Sequence, residues 1–330
     1  METNSRKDEY DIVKAIAIWM VVIGHLYSSV QKDTINTIQF SHMPIFFFIS
    51  GFFLWKSTQK YSLSDLCLKK IKNLFVPYFI WSMISFVANS FMIIMRNTGG
   101  GYIKELVGIF IYSRSVWFLF ELFWSSILFA VLENIIQKYK INRYITWITA
   151  WLLCSFILPD ELFAFYKFKW LFPFLLAGAF YAEKAKVFKV NYKIQIVSLI
   201  MFLIFSNTLY DNTFFEEYST FSYHSWKSVL IGVLYYGISL SGIIGVFALT
   251  HWKEPKILRR LVCAIGQSSM DIYVIHMLLI KFICWKPSFS NIYLLYLYVV
   301  FYSIGIMLLI LLLRYKVLRC RLYDIIMGRF

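Results

Sequence analysis

Long apolar runs recur throughout this chain of 330 residues, and they constrain its fold more than any other feature. Ten of them approach the length of a membrane-spanning helix, and none alternates apolar with polar residues as a barrel strand does. The runs cover 12–30, 38–55, 74–95, 116–137, 143–159, 169–185, 194–210, 227–250, 266–285 and 292–316. Backbone groups inside lipid must pair within their own segment, so we predict an all-α, polytopic integral membrane bundle of about ten transmembrane helices.

Little of the chain is left for soluble structure, because 60% of its residues are hydrophobic and only 15% are charged. No region is long and polar enough to form a separate soluble domain, so we expect a single transmembrane domain over 1–330. A short apolar run at 103–112 predicts an interfacial helix on the loop after the third span. The cysteines lack the spacing of metal ligands or of a disulfide framework; they are Cys67, Cys154, Cys263, Cys284 and Cys320.

The basic residues predict how the spans are oriented. With the N-terminus in the cytoplasm, the inner connections receive most of the lysines and arginines, among them Lys69, Lys70, Lys72, Lys138, Arg143, Lys184, Arg259, Arg260, Arg314 and Arg319. The outer connections carry acids instead, namely Asp160, Glu161, Asp211, Glu216 and Glu217. This bias predicts a multi-pass protein of the cell membrane with both termini cytoplasmic. Topology therefore explains the net charge of +15, and a nucleic-acid partner is unnecessary.

Three ionisable residues share one stripe of the first span. Lys14 and His25 differ by about 20° around a helix axis, and Asp11 lies about 40° from His25 on its other side. Lys14 and His25 are separated by a rise of roughly 16 Å. In the simplest interpretation, Asp11 and Lys14 are interfacial charges at the helix end, and His25 is a packing residue whose hydrogen bonds are satisfied. Three ionisable groups on one face favour the alternative, in which the stripe faces a protein interior or a watery cavity and serves a function.

The polar residues inside the spans divide into two layers. His25, His42 and Glu121 lie near the predicted outer surface, each about 6–7 Å below the end of its span. Asp11 and Lys14 lie near the inner surface. The inner layer also contains Asp271 and lies close to the basic connection of Lys69, Lys70 and Lys72, while His276 lies between the two layers. Because the polar stripe of the first span joins the two polar layers, we predict a passage through the protein that is open at both faces of the membrane.

The second predicted span contains two residues that affect helix geometry, Pro44 and Gly51. Proline cannot donate the helical N–H and disturbs the preceding turn, whereas glycine lets another backbone approach closely. An ordinary proline kink and a functional break that lines a cavity are both compatible with this pattern.

The chain resembles the acyltransferase-three family of polytopic membrane acyltransferases. Asp11 and Lys14 followed by His25 are similar to the family's first-span signature, in which Lys14 stands where arginine is commoner. The run from His42-Met43-Pro44 to Ser50-Gly51 is similar to its second-span motif. Further similar segments are Lys69-Lys70 to Pro77-Tyr78, Trp117-Phe118-Leu119 and Gly266 to His276.

The resemblance implies transfer of an acyl group, commonly acetyl from cytoplasmic acetyl-CoA, to a sugar hydroxyl of an envelope polysaccharide or its lipid-linked precursor. We expect His25 to act as the general base, with Glu121 or His42 orienting it; an acyl-histidine intermediate is the open alternative. Donor binding is expected at Asp11, Lys14, Lys69, Lys70 and Lys72, although the positive-inside bias alone explains any one of the three loop lysines. Substrate binding is expected at Ser50, Trp117 and His276.

The expected partners follow from the same resemblance. They are acyl-CoA, a carbohydrate acceptor of the cell envelope, the lipid bilayer and other proteins of envelope synthesis, with no metal and no nucleic acid. Two functions of other classes remain. A secondary transporter or flippase of an envelope glycan or acylated precursor would also carry intramembrane charges and broken helices, but should show paired halves. The other alternative is a binding or scaffold subunit of an envelope-synthesis complex, which would not need the aligned ionisable residues of the first span.

Overall fold

The computed structural model describes residues 2–30, 42–95, 101–111, 116–159, 162, 165–185, 190–208, 226–253, 255–282 and 291–329. All regular structure within these residues is helical, and no strand occurs among them. The all-helical prediction is therefore confirmed for the part of the chain that is described.

Fourteen α-helices are numbered here in chain order. They are α1 (Glu2–Val30), α2 (His42–Thr58), α3 (Leu63–Lys70), α4 (Val76–Met95), α5 (Tyr102–Phe110), α6 (Trp117–Tyr139), α7 (Arg143–Ile157), α8 (Phe165–Lys184), α9 (Tyr192–Thr208), α10 (Trp226–Val246), α11 (Lys256–Gln267), α12 (Ser269–Phe282), α13 (Ile292–Lys316) and α14 (Arg321–Ile326). A π-helical turn at Ile71–Phe75 joins α3 to α4, and a 3₁₀-helix at Phe247–His251 follows α10.

Among the described residues, five helical segments are long and apolar enough to cross a membrane, and the bent pair of α11 and α12 makes a sixth if it counts as one span. The five are Asp8–Val30, Leu63–Met95, Trp117–Tyr139, Gly232–His251 and Tyr293–Lys316. The predicted count of about ten is not confirmed, because helices such as α7 and α9 are shorter. A helix does form at α5, where the short apolar run predicted one.

Some predictions fall outside the described residues. These are the edges of four predicted segments, at 38–41, 112, 209–210 and 283–285, together with Cys284 and the outer acids Asp160, Glu161, Asp211, Glu216 and Glu217.

The chain divides into two compact units, each built from two separate segments. Unit 1 contains Met1–Phe46 and Lys189–Arg319, and unit 2 contains Phe47–Phe188 and Cys320–Phe330. This division does not test whether the chain forms one transmembrane domain, which stays a prediction.

In unit 1, α1 is the central helix and packs against α11, α12 and α13. Gly266 at the end of α11 lies so close to α1 that a Cβ there would overlap the carbonyl oxygen of Asp11. Trp19 of α1 donates its indole N–H to the hydroxyl of Ser303 in α13, at 3.0 Å. The polar residues of α1 are therefore held against the last third of the chain.

A sharp bend separates α11 from α12. The two helices meet at Ser268 at an angle of 76°. The sequence predicted one span over 266–285, so it placed the start of α12 well but missed α11. The missed signal was amphipathic patterning, in which Lys256, Arg259 and Arg260 are interspersed with exposed apolar residues such as Ile257.

In unit 2, α2 and α8 approach each other through two glycines. A Cβ at Gly51 would overlap the carbonyl oxygen of Leu175, and a Cβ at Gly178 would overlap that of Phe48. The close approach predicted at Gly51 is confirmed. No break occurs within the described part of α2, where Pro44 lies in the first turn. The turn that precedes Pro44, where a proline kink would act, lies outside the described residues.

Arg143, at the start of α7, joins three helices of unit 2. Its guanidinium contacts Glu133 of α6 at 3.3 Å and Glu183 of α8 at 2.8 Å, and it lies over the ring of Trp55. The indole N–H of Trp147 also donates to Glu133, at 2.8 Å. Glu133 is almost fully buried, and these contacts compensate part of the cost of its burial through the oxygen Oε1.

The final segment of unit 2 packs against α4 and the π-helical turn. The indole N–H of Trp81 contacts the sulfur of Met327 at 3.3 Å. Gly328 has a φ of 69° and lies against the backbone of Lys72, where a Cβ would overlap the carbonyl oxygen. Only glycine combines that left-handed conformation with so close an approach.

Candidate active site

The N-terminal half of α1 carries a linked set of polar side chains. Lys14 Nζ lies 2.6 Å from Asp11 Oδ1, and Gln267 of α11 donates to Asp11 Oδ2 at 2.9 Å. Side-chain exposure is 26% for Lys14 and 13% for Asp11, so the lysine is the member of the pair that a ligand can reach more readily. Asp11 is fixed from two sides, and it holds the Lys14 ammonium in place.

A second ion pair lies at the bend between α11 and α12. Asp271 is fully buried, and its Oδ2 lies 3.2 Å from a guanidinium nitrogen of Arg314 in α13. Arg314 also donates to the hydroxyl of Ser268, the residue at the bend. This pair closes the bend against α13 and compensates the buried carboxylate.

Two histidines meet farther along α1. The rings of His25 and His276 have centroids 5.3 Å apart, and His276 is almost completely buried, whereas His25 is exposed. Nδ1 of His276 lies 2.9 Å from the carbonyl oxygen of Ile272. A carbonyl can only accept a hydrogen bond, so Nδ1 carries the proton and, in the neutral ring, Nε2 is left with its lone pair. Nε2 has no hydrogen-bond partner among the described residues.

In unit 1, ionisable groups therefore lie at two positions along α1, one at Lys14 and the other at His25. The helical rise from Lys14 to His25 is roughly 16 Å. A cation held by a carboxylate lies at the first position, and an exposed imidazole supported by a buried one lies at the other. Chemically, the first suits an anionic ligand and the second suits proton transfer.

Unit 2 contains a separate buried acid. Glu121 of α6 has no exposed surface, and neither of its carboxylate oxygens has a hydrogen-bond partner among the described residues. The ammonium of Lys167 acts on this carboxylate electrostatically and lies 3.8 Å from the ring centroid of Trp117.

The remaining predicted site residues are spread over α2 and α3 and the turn after it. His42 and Ser50 are half-buried at the start and in the middle of α2. Lys69 and Lys72 are exposed, Lys70 is half-buried, and the ammonium of Lys69 lies over the ring of Tyr61 at 5.1 Å. Among the described residues, no group of three or more His, Cys, Asp or Glu side chains is arranged to hold a metal ion.

The structure thus brings together Asp11 with Lys14, His25 with His276, and Glu121 with Trp117 through Lys167. Sequence reasoning missed Gln267, Arg314 and Lys167 as members of these groups. Arg314 gave a usable signal, because it lies in the last turn of a helix whose only other charged residue is Lys316, but the positive-inside bias accounted for it equally well. No local pattern marked Lys167.

Comparisons with known proteins give a consistent family match. A family model described as an acyltransferase domain matches residues 7–315. A nodulation protein NolL of Sinorhizobium fredii (strain NBRC 101917 / NGR234) is 23% identical over 305 residues, covering 82% of this chain and 77% of the relative. A nodulation protein NolL of Mesorhizobium japonicum (strain LMG 29417 / CECT 9101 / MAFF 303099) is 26% identical over 195 residues, covering 55% of this chain and 49% of the relative. No solved structure matches the chain.

Proposed function

This chain belongs to the acyltransferase-three family, and we propose that it transfers an acyl group, most simply acetyl, from cytoplasmic acyl-CoA to a hydroxyl of an envelope polysaccharide or its lipid-linked precursor. The observation that carries the proposal is the contact between His25 and His276, on a helix that also holds the Asp11–Lys14 pair. An exposed imidazole backed by a buried one suits the activation of a hydroxyl.

In the proposed reaction, His25 removes the proton of the acceptor hydroxyl as the oxygen attacks the thioester carbonyl carbon. The tetrahedral intermediate collapses with cleavage of the carbon–sulfur bond, and the protonated imidazole returns its proton to the departing thiolate. The products are the acyl ester and the free thiol, so atoms and protons balance. General-base assistance of this kind contributes about 10²–10⁴ in rate.

His276 is the proposed orienting partner of His25. Its Nδ1–H is held by the carbonyl of Ile272, which fixes the ring and its tautomer. A fixed neutral ring beside His25 suits the orienting role that the sequence assigned to Glu121 or His42, and it replaces the substrate-binding role expected for His276. The role of His42 stays a prediction.

The donor nucleotide is proposed to bind at the inner end of α1. Lys14 supplies a positive charge that Asp11 and Gln267 hold in position. Lys69, Lys70 and Lys72 belong to unit 2, on a connection that the charge bias assigns to the cytoplasm, and donor binding by these three lysines stays a separate prediction. Lysine binds phosphate as a point charge, without the planar fork of arginine.

Acyl transfer is tested with the purified full-length protein in lipid vesicles. We expect radiolabel from acetyl-CoA to reach an added envelope glycan, and heat-inactivated protein to give none. Movement of glycan across the bilayer without acyl-CoA would support the transporter alternative instead. If neither label transfer nor glycan movement occurred with a range of envelope glycans, the proposed function would be wrong.

A further inference from the structure

One face of α6 carries an aromatic ring, a carboxylate and a hydroxyl at successive turns. Trp117, Glu121 and Ser125 are spaced by four residues, so their side chains project from neighbouring positions on the same side of the helix. Trp117 is half-buried at the start of α6, whereas Glu121 and Ser125 are fully buried.

Both polar members of this face lack partners. Neither carboxylate oxygen of Glu121 nor the hydroxyl of Ser125 has a hydrogen bond within the described residues. A buried carboxylate without hydrogen bonds is costly, and native proteins normally satisfy such groups. For Glu133, which lies farther along the same helix, Arg143 and Trp147 satisfy the oxygen Oε1, whereas Glu121 has no hydrogen bond at either oxygen. The contrast indicates that the hydrogen-bonding capacity of Glu121 serves something other than packing.

Lys167 of α8 faces this group. Its ammonium lies 3.8 Å from the ring centroid of Trp117, which is close enough for a cation–π interaction. It acts on Glu121 electrostatically, but from beyond hydrogen-bonding distance. A cation and a carboxylate held near each other without touching can both bind one intervening hydroxyl, which donates to the carboxylate and accepts from the ammonium.

The backbone at this point is strained. Val116, which precedes Trp117, has a φ of 41°, a left-handed conformation that is rare for a β-branched residue. Conformations of this kind are concentrated at ligand sites. Here it fixes the start of α6, where Leu119 N–H donates to the Val116 carbonyl at 3.1 Å. The strain therefore determines where Trp117 projects.

We propose that Trp117, Glu121 and Lys167 form an acceptor subsite that binds a saccharide through neighbouring hydroxyl groups. The inference rests on the proposed function and deepens it, because it assigns the acceptor to a subsite of unit 2. It also gives Glu121 an acceptor-binding role in place of the orienting role expected from the sequence.

The chemistry of the subsite selects a polyol over an anion. The two oxygens of one carboxylate can accept hydrogen bonds from two adjacent hydroxyls, while the Lys167 ammonium donates to one of them. The indole ring offers an apolar surface to the C–H face of a pyranose ring. A fully ionised phosphate carries only acceptor oxygens, so it has no donor for the oxygens of Glu121, whereas a polyol has several.

The test measures steady-state kinetics of the full-length protein in vesicles, with acetyl-CoA as donor and methyl hexopyranosides as acceptors. The variants are Glu121→Gln and Lys167→Met, and Lys167→Arg retains the charge. Trp124→Leu is the matched control for Trp117→Leu, because Trp124 lies on the same helix with an exposed ring. We expect Glu121→Gln, Lys167→Met and Trp117→Leu to raise the acceptor KM at least tenfold with the acetyl-CoA KM unchanged. Trp124→Leu should stay within threefold, and Lys167→Arg, which keeps the charge, should raise the acceptor KM less than Lys167→Met does.

The outcomes separate this inference from the proposed function. If wild-type protein acylates a glycoside but the three variants leave the acceptor KM unchanged, or lower kcat alone, the subsite is wrong and the proposed function stands. If wild-type protein acylates nothing, the proposed function fails. The subsite is then judged by saturation-transfer NMR with the same glycosides. A saturation-transfer signal with the wild-type protein that is lost in Glu121→Gln and Lys167→Met would support the subsite. The absence of a signal with the wild-type protein would contradict the subsite.

Discussion

At the scale of single residues, His25 carries the most direct prediction. His25→Ala should lower acyl transfer by about 10²–10⁴ because it removes the proposed general base. Vesicle insertion and thermal stability should be nearly normal, since His25 is exposed and its loss opens no buried cavity. His251→Ala is the matched control, as His251 lies in the 3₁₀-helix after α10, outside the proposed machinery. Activity of His25→Ala within a few-fold of wild type would refute the base.

Lys14 tests donor binding. Lys14→Ala should raise the KM for acetyl-CoA severalfold because it removes a positive charge from the proposed nucleotide site. Lys14→Arg should retain substantial activity, because Asp11 can still hold the longer cation. Initial rates at varied acetyl-CoA concentration separate KM from kcat. An unchanged KM in Lys14→Ala would make the pair with Asp11 purely structural.

Local spacing explains which residues of the candidate site were predictable. Asp11 and Lys14 are three apart, so helical periodicity alone predicted that they share a face, and their ion pair confirms it. Periodicity also placed His25 on that stripe. It could not predict that His276 or Gln267 contacts α1, because those contacts depend on how α11 and α12 pack, which no local pattern encodes.

At the scale of helices, the crossing of α2 and α8 makes a sharp prediction. Gly178→Ala should lower the melting temperature in detergent, because its Cβ would overlap the backbone of Phe48 and push the helices apart. Gly237→Ala is the control. It also replaces a mid-helix glycine, but nothing lies within 4 Å of its Cβ position, so it should be neutral or slightly stabilising. Equal melting temperatures for Gly178→Ala and wild type would contradict the close packing.

Helices were predicted well where apolar runs were long, and poorly where the chain bends. The predicted spans at 12–30, 116–137 and 292–316 coincide with α1, α6 and α13 to within a few residues, apart from the N-terminal extension of α1. The bend at Ser268 escaped prediction because neither glycine nor proline occupies it. The geometry of the bend depends on contacts of Arg314 with Ser268 and Asp271. These are tertiary contacts between distant parts of the chain, which a local sequence pattern does not encode.

At the scale of the whole molecule, the orientation in the membrane is open to a direct test. Cysteines placed singly at Lys104 and Lys140, in a background without native cysteines, both occupy exposed positions. In intact cells, a membrane-impermeant thiol reagent should label the Lys104→Cys variant and spare the Lys140→Cys variant, because the lysine bias assigns them to opposite sides. Each substitution removes one lysine, so the two variants control for each other. Reversed labelling would place His25 on the cytoplasmic side and rule out delivery of the acyl group across the membrane.

Composition was sufficient to predict a helical membrane protein, yet it could not predict the division into two units. That division depends on long-range packing, since each unit joins an early segment of the chain to a late one. Hydropathy also predicted about ten spans, a count that the structure does not confirm, because some of the described apolar helices are short. In the part of the chain that the structure describes, five or six segments satisfy the criteria of both length and composition.

The packing of α1 against α11, α12 and α13 has a consequence for biosynthesis. The ribosome makes α1 first and reaches Lys256 only 226 residues after Val30. At ~5–20 residues per second, roughly 10–45 s pass before the first of these three partners is made. During that interval Asp11 has no Gln267, and His25 has no His276. A nascent chain therefore needs its charged first helix sheltered by the insertion machinery, and a chain stalled before α11 becomes a natural target for membrane quality control.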